Sequence, residues 1–212
     1  MILFKYSYIT LYTITLIVCL IYRRKYTHNL ALRLWMYFIV YSLLTEIIGH
    51  YFSHIKGVRI NLTGNLWGVV SVIFYLSFFL SELKLRITRI SVKLLLILFS
   101  VFTFIYFIFF NSLIHDLPSR GLIVGSLFVV ITIFIYLAEL LRGDTILSIQ
   151  KSLFFWISLG VLIFYLGLLP VLVIAEMIAW QGIFKHIILS LNYIMNICFV
   201  MGLIISKKEF NN

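Results

Sequence analysis

Charge is what this sequence has least of. Asp, Glu, Lys and Arg make up 11% of its 212 residues, where about 25% is usual in soluble domains. Cysteine is limited to Cys19 and Cys198, both inside apolar runs, which reads as two buried thiols and excludes a disulfide framework. There are two prolines, Pro118 and Pro170. Strict two-residue alternation is missing, so a membrane β-barrel is not indicated. Low-complexity stretches and a convincing internal repeat are missing as well. No connection between apolar runs exceeds about a dozen residues by hydropathy, a length that leaves no room for an ATP-binding loop, a zinc ribbon or a soluble catalytic module.

What the chain does have is apolar mass, at 63% of all residues against about 45–50% in soluble domains. A soluble fold has too little interior for that much Leu, Ile and Phe, so the excess is expected to face lipid. Seven runs are long enough to cross a hydrocarbon core, which takes roughly 17–25 helical residues. They are Tyr6–Tyr22, Leu34–Ile55, Gly64–Ser81, Leu94–Ile114, Gly121–Ala138, Ser152–Ala175 and Ile187–Ser206. Backbone amides without water must bond within their own segment, so each run is expected to be a helix. The expected fold is one all-α domain over residues 1–212, a polytopic transmembrane helix bundle of about seven spans. The first run is followed by Arg23-Arg24-Lys25 rather than a small-residue cleavage site, and is expected to persist as a helix.

The net charge of +10 has no Lys/Arg face to go with it, which argues against nucleic acid as a partner. The basic residues sit in clusters between apolar runs, as topology determinants do. Alternate connections carry 12 of the 17 Lys and Arg, among them Arg23, Arg24, Lys25, Lys84, Arg86 and Arg89; the other side carries Lys5, Lys56, Arg59, Arg120 and Lys185. Basic residues favour the cytoplasm, so the N-terminus is expected outside and the C-terminus inside. Trp35, Trp67 and Trp156 open assigned spans and Trp180 lies in the last outer loop, positions that suit the headgroup level.

Ionisable groups inside a span are costly and need a reason. Glu46, His50 and His54 are spaced i, i+4, i+8 and fall on one face of the second run, with Glu46 near mid-span. Such a face serves as a ligand-binding wall, a proton relay or part of a metal site; it serves equally as a polar seam bonded to a neighbouring helix. Asn192 and Asn196 are one turn apart in the last run. With Tyr165, and with Gly160, Gly167 and Pro170 permitting close packing and a bend in the sixth run, they would join Glu46 and His50 around a cavity open to the outside, or form a hydrogen-bonded seam. His115, His186 and Glu176 fall on the same expected side as His50 and His54, and would supply ligands if zinc were bound, which takes three or four converging groups. Gly64/Gly68 and Gly121/Gly125 read as helix-packing pairs. Glu82 and Glu139 read as end charges beside Lys84 and Arg142.

The segments Tyr41-Ser42-Leu43-Leu44-Thr45-Glu46 with Gly49, Phe155-Trp156 through Leu166-Gly167, and Leu191-Asn192-Tyr193-Ile194-Met195-Asn196 resemble a group of small uncharacterised multi-pass proteins of Bacteroidetes-type bacteria. Those are similar in turn to membrane input modules of sensor kinases. The resemblance implies a bacterial inner-membrane location and a sensing role, with no catalytic residue attached to it. Other seven-helix families fit less well. There is no lysine in the middle of the last span for retinal, no Asp-Arg-Tyr or Asn-Pro-x-x-Tyr signature, and no Pro-Gln motif of small sugar carriers. Membrane hydrolases of the ceramidase type place a His-x-x-x-His pair late in the chain, whereas His50 and His54 are early. The expectation is a non-enzymatic sensory module in the bilayer, without a resident cofactor, that binds a small ligand from outside and acts through a cytoplasmic signalling partner. A small transporter and a metal-dependent membrane hydrolase are the alternatives.

Overall fold

Long apolar runs separated by short polar clusters leave the backbone one economical solution, and the chain adopts it. The computed structural model describes residues 7–52, 62–110, 119–142, 146–178 and 182–211. Within them lie α1 (Ser7–Ile21), α2 (Leu30–His50), α3 (Leu62–Glu82), α4 (Arg86–Phe110), α5 (Ser119–Leu141), α6 (Leu153–Ile178) and α7 (Gly182–Ile205). The described residues contain no strand. Six of the helices, α2 to α7, are long and apolar enough to cross a membrane. The described part of α1 is apolar but has 15 residues, or about 22 Å at 1.5 Å per residue, short of a hydrocarbon core of about 30 Å.

Five helices begin earlier than hydropathy suggests, and for α2 and α4 the reason is a cap. α2 opens at Leu30 rather than Leu34 because the Asn29 side chain accepts from the backbone N–H groups of Ala31 and Leu32, at 2.9 and 3.3 Å, two of the donors a helix start leaves unpaired. α4 opens at Arg86 rather than Leu94 because a carboxylate from another helix caps it. Glu139 of α5 accepts from the backbone N–H groups of Lys84 and Leu85 and from the Thr88 hydroxyl (2.7 Å). Arg86, Arg89 and Lys93 therefore lie on the first turns of a helix, where long side chains can lay their stems along apolar surface. The expected role of Glu139 as an end charge beside Arg142 is replaced by this cap.

Contacts between elements define a ring. α1 packs on α2 and α7, α2 on α3, α3 on α5, α5 on α6, and α6 on α7; α4 lies outside, against α3 and α5. α6 and α7 form the most extensive pair, and glycine is the reason. A Cβ on Gly160 would stand 2.9 Å from the Met195 carbonyl, and one on Gly202 would stand 2.4 Å from Cβ of Trp156. Close backbone approach of this kind needs small residues. The outward faces carry exposed apolar side chains, such as Ile87 on α4, Met177 on α6 and Ile197 on α7, as lipid contact requires.

The inside of the ring is divided along its length. One level is an aromatic layer: Phe38 stacks on Phe74 (4.2 Å between centroids), Phe78 meets Phe154 (5.2 Å), and Phe79 meets Tyr136 (5.2 Å). Beyond it, at the end that holds Lys25, the helices are laced together. Lys25 Nζ donates to the carbonyls of Leu203 and Ile204 at the C-terminus of α7 (3.1 and 2.8 Å). Asn211, fully buried, accepts from the backbone N–H of Leu153 (2.8 Å) and donates to the carbonyl of Lys25 (3.3 Å). The backbone N–H of Lys207 donates to the carbonyl of Lys151 (2.9 Å). This clasp ties the α1–α2 connection to the start of α6 and the end of α7.

Candidate functional site

On the other side of the aromatic layer the ring is hollow. A cavity of about 470 Å³ lies there, lined by six of the seven helices, with α4 the exception. α3 supplies Gly64, Trp67, Gly68 and Ser71 in its first turns; α6 supplies residues from Phe164 to Glu176. The cavity thus occupies the end that carries the α2–α3, α4–α5 and α6–α7 connections, and reaches inward to Tyr165 and Asn192, which sit at the midpoints of α6 and α7. Its floor is the aromatic layer, through the edge-to-face contact of Tyr75 with Tyr165 at 6.0 Å.

Apolar side chains make most of the wall, and the polar ones are tied into two hydrogen-bonded groups. In the first, Trp67 Nε1 on α3 donates to Oγ of Ser42 on α2 (3.0 Å). Ser42 lies within hydrogen-bonding reach of the Tyr12 hydroxyl on α1. Tyr12 donates to Oδ1 of Asn192 on α7 (3.3 Å), whose Nδ2 donates to the Ile188 carbonyl (2.9 Å). Four helices are linked by this belt. In the second, the Tyr165 hydroxyl on α6 donates to Ser71 Oγ on α3 (3.0 Å), and Ser71 donates to the Gly68 carbonyl (2.8 Å). Ser126 Oγ on α5 belongs to neither: it is buried on the cavity wall, with no hydrogen-bond partner among the described residues. Buried hydroxyls nearly always have one.

The expected site residues divide. Glu46, Tyr165 and Asn192 come together on the cavity wall. Asn196 does not line it; its Oδ1 accepts from the Thr15 hydroxyl (2.7 Å) and its Nδ2 donates to the Asn192 carbonyl (2.9 Å), which makes it a rung of the α1–α7 seam. His50 is not among the lining residues either. Glu46 lies one turn before His50, the last α-helical residue of α2. After His50 the chain enters a π-type turn at Tyr51–Phe52.

His54 and His115 lie outside the described residues, as does Trp180. Of the remaining metal candidates, Glu176 is on the cavity wall and His186 is on an exposed face of α7. No group of three His, Cys, Asp or Glu that could hold a metal occurs among the described residues.

Three other expectations change. Trp35 is fully buried, edge-on to Phe199 at 5.2 Å, and Trp67 is built into the cavity wall against Phe164 at 6.1 Å. Both are interior residues; among the described residues Trp156, whose Nε1 donates to the Gln150 carbonyl beside the start of α6, keeps a boundary position. Of the packing glycines, Gly68 does sit against Leu122 on α5 and Gly125 against Val72 and Phe99, but Gly64 faces open space within 4 Å and lines the cavity. α6 is helical through Pro170 without a break.

Sequence reasoning passed over Tyr8, Tyr12, Ser71 and Ser126. The signal for the tyrosines was available: Tyr8 and Tyr12 are one turn apart on α1, on one face. A second hollow of about 580 Å³ lies at the opposite end between α2 and α3. Four of its polar groups are satisfied locally: Asn29 caps α2 and bonds Glu82, and Ser77 and Ser81 donate to carbonyls of their own helix.

No protein family, curated protein or solved structure matches the chain.

Proposed function

We propose that this chain is a non-enzymatic membrane protein of the sensory kind, which admits a small molecule into the cavity and passes the change to the opposite end of the bundle. The observation that carries the reading is the cavity itself. Its volume of about 470 Å³ falls within the roughly 300–1,000 Å³ of small-ligand pockets, as does its mostly apolar wall with a few placed polar groups. The distribution of Lys and Arg supports an orientation in which the cavity opens outward and the clasp faces the cytoplasm. In that orientation the basic residues around the clasp, exposed Arg23 and Arg24 among them, suit an acidic surface of a cytoplasmic partner.

The route between the ends is the α1–α7 seam. Tyr12 meets Asn192 at the cavity, Thr15 meets Asn196 farther along, and Lys25 meets the last carbonyls of α7. A molecule that displaces Asn192 acts on a helix held at both ends. The experiment is native mass spectrometry of the protein taken from its own membranes, beside a Gly64→Trp variant that fills the cavity. A small molecule retained by the wild type and absent from the variant is the expected result. Equal retention by both, or none by the wild type, would remove the basis of the reading.

A second reading, a small transporter, draws on one observation: the polar lining reaches the midpoints of α6 and α7 at Tyr165 and Asn192, where carriers often bind. Flux of the retained molecule into proteoliposomes, abolished by Glu46→Gln, would place this reading first.

A further inference from the structure

We propose that the molecule taken into the cavity is an organic cation, an amine-bearing compound with an apolar body; this rests on the reading of the cavity as a ligand site. The first observation is charge of the wrong sign for the chain. The protein has 17 Lys and Arg against seven Asp and Glu, yet the described residues around the cavity include Glu46 and Glu176 and no Lys, Arg or His. An anion entering there would meet like charge at Glu46 and Glu176. A neutral molecule would take water from Glu46 and return no countercharge, which is the costly way to bury a carboxylate.

The second observation is the kind of apolar surface. Tyr8, Tyr12, Trp67, Phe164 and Tyr165 all lie on the wall, and aromatic faces attract cations as well as hydrocarbon. The third is Ser126. Its Oγ is buried, with the residue 1% exposed, and without a hydrogen-bond partner among the described residues. A protonated amine carries N–H donors and no acceptor. It therefore meets the carboxylate of Glu46 and the lone pairs of Ser126, while the protons of Tyr12 and Tyr165 are already given to Asn192 and Ser71.

The test uses three probes of one shape and three charges, phenethylamine, 2-phenylethanol and 3-phenylpropanoate, titrated by calorimetry into the full chain in mild detergent. The amine should bind saturably and at least tenfold more tightly than the alcohol, and the carboxylate should not bind. Glu46→Gln should weaken the amine at least tenfold and leave the alcohol unchanged. Ser126→Ala should weaken the amine several-fold, and it keeps the test open should the Glu46 variant fail to fold. Gly64→Trp should abolish binding of both the amine and the alcohol.

Equal binding of the three probes, lost in Gly64→Trp and indifferent to Glu46→Gln, would overturn the cation assignment and leave the cavity as a ligand site. Failure of every probe to bind the wild type, or binding that survives Gly64→Trp, would overturn both. The same ammonium chemistry is present in phosphatidylethanolamine headgroups, so the titration is repeated in nanodiscs. Amine affinity lower with phosphatidylethanolamine than with phosphatidylcholine, which has the same zero net charge but no N–H donor, assigns the site to a lipid amine; equal affinity assigns it to a free one.

Discussion

Thr15 has one proton and two places to put it, the Leu11 carbonyl at 3.0 Å and Oδ1 of Asn196 at 2.7 Å. Thr15→Val keeps the volume and removes the donor, leaving a buried amide oxygen short of a partner. Interhelical hydrogen bonds in membranes average about 0.6 kcal/mol and reach about 1.7, so a loss in that range is expected in detergent-induced unfolding. In an Asn196→Leu background the same substitution should cost close to nothing; an equal cost in both would mean that the hydroxyl serves only its own helix. Asn196 was visible in the sequence as a polar residue in an apolar run, and so was Glu46. Their destinations were not, because the partner of Asn196 is 181 positions away and nothing in a one-dimensional pattern says which helices face each other. Trp35 was misread for a related reason. Its place near a run's start suited a headgroup, but an indole is also the largest filler for the gap between α2 and α7.

Among elements, the α6–α7 pair and the mouth of α3 offer a controlled comparison of the same substitution. Gly160→Ala puts a methyl 2.9 Å from a backbone carbonyl, which neither helix can easily yield, and overpacking of this sort costs about 1–3 kcal/mol. Gly64→Ala puts the same methyl into open space and gains helix propensity, up to about 1 kcal/mol in its favour. Thermal midpoints of the two purified variants should move in opposite directions; a common fall would mean that α3 packs more closely at its start than described. The four-residue glycine spacing foretold packing at Gly68 and Gly125 and misplaced Gly64, since spacing gives the face but not what stands opposite it. The cap on α4 makes a further prediction. Glu139→Ala should cost about 0.5–2 kcal/mol and raise amide hydrogen exchange in the first turn of α4 while α6 and α7 stay protected. Uniform exchange across all helices would contradict a local role. Hydropathy could not find that turn, because its residues are basic and its cap lies on another helix.

For the whole molecule, composition was enough to read an all-helical bundle with lipid-facing sides, because no other solution satisfies so many backbone amides away from water. The order of helices round the ring, with α4 left outside, was not legible; it depends on shape complementarity between faces that all look equally apolar. Orientation remains a prediction from the basic clusters. With Cys19 and Cys198 replaced by alanine, cysteine at Lys185 should react with a membrane-impermeant maleimide in intact cells, and cysteine at Arg86 only after permeabilisation. The reverse pattern would turn the cavity toward the cytoplasm. The clasp has a consequence for how the protein is made. The carbonyl of Lys25 and the side chain of Asn211 are 186 positions apart, and at synthesis rates of about 5–20 residues per second the first waits roughly 10–40 s for the second. During that interval the α1–α2 turn and the start of α6 wait unsecured, so the bundle is built open at that end and is fastened only once Asn211 has been added.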